Sequence, residues 1–215
     1  TTMGSTAVTG IDNIALGTLA MDASTSGNCN IAMGINAMGA LTTASLSIAI
    51  GDCALGGAAT TGDTNIAIGS HAMTSLTTGE LNMAIGENAM ASATTGCYNT
   101  ALGFEAMGAC TVTGSCNTTV GYFAGSKITS GTHNVMVGYT AAGAVNSGSG
   151  VAAVGFNAAT VLSSGNCNTH MGSCSGAGMT GTPNSAFLGW KSGHNPKPSG
   201  NHSQVVILGN HSTAG

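Results

Sequence analysis

The apolar positions of this chain fall in short clusters that return at a fixed interval. Each cluster reads Asn-x-Ala-aliphatic-Gly. It appears as NIALG ending at Gly17, NIAMG at Gly34, SIAIG at Gly51, NIAIG at Gly69, NMAIG at Gly86 and NTALG at Gly103. Looser copies end at Gly121, Gly138, Gly155, Gly172, Gly189 and Gly209. Successive anchor glycines lie 17 or 18 residues apart, and the last step is 20. A fixed period of this kind is the signature of a repeat architecture.

Further columns ride on the period. Three residues after the anchor glycine stands a small residue, as at Ala20, Ala37, Ala54, Ala72 and Ala89. The next position holds Met21, Met38, Leu55, Met73, Met90 and Met107. About ten residues after the anchor comes a second glycine, as at Gly27, Gly62, Gly79 and Gly96. A unit this short, punctuated twice by glycine, predicts two short strands joined by two tight turns, with glycine supplying positive φ. Each strand would pair in parallel with its equivalent in the next coil, about 4.8 Å away. Helical repeats run to roughly 33–47 residues and tolerate glycine poorly. The expected fold is therefore all-β: a narrow parallel β-solenoid, or β-roll, of about twelve 17-residue coils.

Alternation within the cluster predicts Ile14 and Leu16 on one face and Asn13, Ala15 and Gly17 on the other. The Leu16 column is aliphatic in every copy, which marks it as a buried ladder. The column of Asn13, Asn30, Asn65, Asn82, Asn99, Asn117, Asn134 and Asn168 is expected to stack amide on amide as a structural ladder. In later repeats an aromatic follows the anchor glycine, at Phe104, Tyr122, Tyr139, Phe156 and Trp190. Over the same repeats the methionine column shrinks to Gly125, Ala142, Ala159, Gly176 and Gly193. One fixed interior volume filled from either side would give this exchange. The alternative is an aromatic binding surface of Tyr122, Tyr139, Phe156 and Trp190.

Composition sharpens the picture. Charged residues make up 5% and aromatics 4%, while glycine supplies 35 residues, so no thick core is available. The 42% hydrophobic content is too high for a disordered linker. No apolar run is long enough to span a membrane as a helix. A net charge of −4 with no arginine argues against nucleic acid. All seven acidic residues lie between Asp12 and Glu105, and all three lysines lie from Lys127 onward. An elongated molecule would then have one acidic half and one weakly basic half.

The array is expected to occupy residues 1–189, starting mid-repeat. Residues 190–215 would form an irregular loop and a final partial repeat leading into a missing C-terminal region. Through NTALG, TTG and GYFAGSKITSGTHN the chain resembles the Asn-Thr-Ala-Ile-Gly repeat arrays of viral, phage-type tail fibres. More distantly it is similar to the heads of trimeric autotransporter adhesins. That resemblance implies a homotrimeric, β-rich, protease-resistant fibre on a virion or cell surface, presenting a tip to a receptor or glycan. The residues themselves lead to the expectation of no enzymatic activity and no cofactor.

Candidate chemistry is sparse. Cys97 and Cys116 fall on adjacent coils and are a candidate disulfide. His194, His202 and His211 cluster near the end and are candidate metal ligands. Asp63 and Glu80 share a column, where repulsion would call for solvent or a cation. No nucleophile with its base, no phosphate loop and no paired catalytic acids stand at useful spacing. The competing readings are an ice-binding β-solenoid, which needs a regular Thr-x-Thr face, and a non-catalytic part of a glycan-degrading tailspike.

Overall fold

The structure is a computed structural model, and it describes residues 9–178, 180, 183–193 and 206–209. Most of the irregular segment expected over 190–215 lies outside the described residues. The chain divides into two compact units, residues 1–113 and 114–215. Both are all-β, and no helix occurs among the described residues.

The first unit stacks six three-residue strands: β1 (Ile14–Leu16), β2 (Ile31–Met33), β3 (Ile48–Ile50), β4 (Ile66–Ile68), β5 (Met83–Ile85) and β6 (Thr100–Leu102). They pair in parallel with no slip, so that Ala15, Ala32, Ala49, Ala67, Ala84 and Ala101 form one row. The second unit repeats the pattern with β7 (Thr118–Val120), β8 (Val135–Val137), β9 (Ala152–Val154), β10 (Thr169–Met171), β11 (Ala186–Leu188) and β12 (Val206–Leu208). Each unit is a parallel β-solenoid.

Each coil carries one strand where two were expected. The rest of the coil is turn, and it still bonds to its neighbours: Met38 N–H donates to the Ala54 carbonyl at 2.9 Å and Asn36 N–H to that of Thr18 at 2.8 Å. These turns place ordinary L-residues at positive φ in three columns, exemplified by Asn36 (54°), Met38 (53°) and Cys29 (56°). Such a conformation costs a non-glycine residue roughly 1–2 kcal/mol. Its return is that all three kinds of position direct their N–H at an adjacent coil. Most of the second-glycine column, by contrast, is short of space, although Ala44 fills the position in one coil. A Cβ on Gly27 would lie 2.1 Å from the Ala44 carbonyl oxygen of the next coil.

The interior is also the reverse of the expected one. The middle residue of the triplet is buried, with Ala32, Ala49, Ala67, Ala84 and Ala101 fully enclosed. The aliphatics beside it point outward: Leu16 is 56% exposed and Leu102 43%. The Leu16 column is therefore not a buried ladder. The physical reason is width. A three-residue strand turns only its central side chain inward, and a small one leaves room for the methionine column, where Met21, Met38, Met73, Met90 and Met107 are all fully buried.

The second unit shows how that space is shared. A Cβ on Gly193 would lie 2.4 Å from Phe187 Cδ1, and one on Gly176 would lie 1.9 Å from His170 Nδ1. The methionine-column position thus faces the mid-strand residue six places before it. Where methionine gives way to Gly125, Ala142, Gly176 and Gly193, the mid-strand residue grows to Thr119, Met136, His170 and Phe187, while opposite Ala159 it stays small, as Ala153. The exchange of volume occurs, but its partner is the mid-strand residue and not the aromatic after the anchor glycine.

Candidate assembly surface

Two side-chain ladders hold the coils together and leave the strand face free. In the first, asparagine amides donate to a carbonyl of the next coil, except at Asn168, whose Nδ2 is buried with no partner among the described residues. Asn13 Nδ2 reaches Gly27 O at 2.8 Å, Asn82 Nδ2 reaches Gly96 O at 2.8 Å and Asn134 Nδ2 reaches Gly148 O at 2.9 Å. The amide oxygen accepts the backbone N–H of the next rung: Asn30 N–H binds Asn13 Oδ1 at 2.9 Å, Asn99 N–H binds Asn82 Oδ1 at 3.0 Å and Ser185 N–H binds Asn168 Oδ1 at 2.9 Å. Direct amide-to-amide bonds join Asn82 to Asn65 at 3.1 Å and Asn134 to Asn117 at 2.9 Å. These buried amides are engaged in bonding coil to coil. Burying them without partners would be costly.

The second ladder escaped the reading of the sequence. It follows the second glycine and runs the other way, an earlier coil's N–H donating to a later coil's side chain. Ile11 N–H binds Asn28 Oδ1 at 2.9 Å, Asn28 N–H binds Ser45 Oγ at 3.1 Å and Ser45 N–H binds Asp63 Oδ1 at 2.7 Å. Thr132 N–H to Ser149 Oγ and Ser149 N–H to Asn166 Oδ1 continue it in the second unit. Asp63 therefore acts as a hydrogen-bond acceptor for the backbone. The only signal in the sequence was a run of small polar residues at one column.

Glu80 N–H points at Cys97 Sγ at 3.4 Å, and Cys97 Sγ lies 3.5 Å from Thr95 O. Cys116 is exposed, with φ 61°. A Cys97–Cys116 bridge remains a proposal. His194, His202 and His211 lie outside the described residues. Among the described residues no group of three or more His, Cys, Asp or Glu side chains could hold a metal ion.

The aromatics after the anchor glycine lie on the surface. Tyr122 stacks on Tyr139 with centroids 5.1 Å apart, and Tyr139 stacks on Phe156 at 5.3 Å. Lys191 Nζ sits 4.5 Å from the centre of the Trp190 ring. Edges of the rings face solvent, since Tyr139 is 49% and Phe156 52% exposed. His170 is the one buried titratable group of note. It stacks on Phe187 at 5.0 Å, and neither ring nitrogen has a partner among the described residues. Burial pushes its pKa from 6.5 down to about 4.

What remains is the strand face. In the first unit it presents two parallel columns, one from Ile14 to Thr100 and one from Leu16 to Leu102, with Thr100 their only polar member. Comparison with known proteins returns no match to any protein-family model, curated protein or solved structure.

Proposed function

We propose that this chain is a structural shaft or adhesin segment of an extracellular or virion surface fibre, built as a homotrimer, that holds a receptor- or glycan-binding tip away from its particle or cell. The observation that carries the reading is where the polar groups go. The ladder amides, hydroxyls and carboxylate described above bond one coil to the next. Such a molecule resists bending and unravelling, and its repeated positions are occupied by packing and pairing.

An ice-binding reading would need regular Thr-x-Thr triplets. The triplets here run IAL, IAM, IAI, IAI, MAI and TAL in the first unit, so no observation favours it.

The test is immuno-electron microscopy of the source particle or cell, with antibody raised against the array. Label is expected along surface filaments. Deleting residues 48–99, three whole coils, should shorten those filaments by about 14 Å, at about 4.8 Å per coil. Label confined to the interior, or filaments of unchanged length, would sink the reading.

A further inference from the structure

We infer that the apolar strand face of the first unit docks against the same face of other copies of this chain. The inference rests on the fibre reading only in requiring another copy, not in the number of copies.

Three observations carry it. The first is extent. Ile14, Leu16, Met33, Ile50, Met83 and Leu102 are each between 38% and 56% exposed. With their half-buried neighbours in the two columns they form one continuous apolar strip six coils long, about 24 Å at about 4.8 Å per coil. A contiguous exposed apolar surface of this kind marks an interaction site.

The second is spacing. The outward side chains stand in straight in-register columns, one row per coil, with no bulge or slip across five consecutive pairings. Knobs repeating at the strand spacing interdigitate along their whole length only with a surface of the same spacing. A second copy supplies that spacing by construction, and a foreign globular surface does not.

The third is charge. Neither column contains an ionisable residue. All seven acidic residues of the chain, and no lysine, belong to the first unit but lie outside the triplets. Two copies brought together would repel through those acids, so the apolar columns must supply the attraction. Salt should then tighten the pairing by screening the repulsion.

The experiment is sedimentation velocity on the purified chain, at concentrations up to about 100 μM and from about 0.1 to 0.5 M NaCl. The wild type should form a defined oligomer that tightens as salt rises. Ile50→Glu with Ile68→Glu places like charges on neighbouring rungs of one outward column and should weaken assembly at least about 100-fold. Its circular dichroism should match the wild type, because both positions lie on the outer face, while its melting point falls through the paired like charges and the lost assembly. Ile50→Lys with Ile68→Lys should dissociate in the same way, and mixing the Glu and Lys variants should restore assembly. A folding defect could not produce that rescue. A wild type that stays monomeric, or assembly that loosens with salt, overturns the inference, the former pointing to a foreign occupant. Assembly untouched by the Glu pair also overturns it, yet leaves the fibre reading standing, because that reading fails only on filament location and length.

Discussion

At the scale of single residues, identity is dictated by which way a position points and by what it must bond. Asn82 shows this: its amide meets Gly96 O, its oxygen meets Asn99 N–H, and it is almost fully buried. The sequence disclosed the asparagine column because the residue type repeats. It concealed the opposite ladder because asparagine, serine and aspartate all satisfy the same backbone donor. His170 supplies a test at this scale. Its folded pKa is about 4 against 6.5 when free, so the unfolded chain binds the proton more readily between those values. The resulting stability is whole above pH 6.5, is lost as pH falls from there through 4, and levels off below. The loss should approach roughly 3 kcal/mol. His170→Phe copies the Phe187 rung opposite a glycine and should remove that part of the pH dependence. Denaturant titrations at about pH 7 and about pH 4.5, compared between the two proteins, decide it; equal pH slopes would refute the assignment.

At the scale of the coil, the period and the parallel stacking were legible in the sequence, but inside and outside were not. The bulk of Leu16, Ile50 and Leu102 suggested a core, yet the interior is too narrow for a large residue on both sides. Alanine occupies the mid-strand position because methionine fills the space opposite it. This makes a direct prediction. Ala67→Phe alone overfills a closed interior and should cost about 1–3 kcal/mol or more. Adding Met73→Gly recreates the Phe187 and Gly193 pair and gives glycine a left-handed position, since Met73 has φ 53°. The double variant should recover most of the loss, with a coupling of at least about 1.5 kcal/mol in a double-mutant cycle by guanidinium unfolding. Additive effects would show that the two positions do not share one volume.

At the scale of the whole chain, coils interact with their immediate neighbours, so stability should behave as a sum of coils and the contacts between them. The repeat also marks where a coil can be removed cleanly. Deleting residues 66–82 joins Asn65 directly to Met83 and regenerates Asn-Met-Ala-Ile-Gly. The asparagine ladder, the alanine row and both outward columns then meet in register across the junction. That variant should unfold cooperatively, with a midpoint within a few degrees of the parent, since it loses one unit of a long sum. Deleting residues 66–74 removes about half a coil and sets a methionine-column turn against a strand. Inward and outward positions are then exchanged at the junction, the ladder donors there lose their acceptors, and each orphaned group costs about 1–3 kcal/mol. Thermal melts of the two deletions should therefore separate widely, although the second removes fewer residues. If the shorter deletion were the milder one, the chain's stability would not reside in the register of its coils.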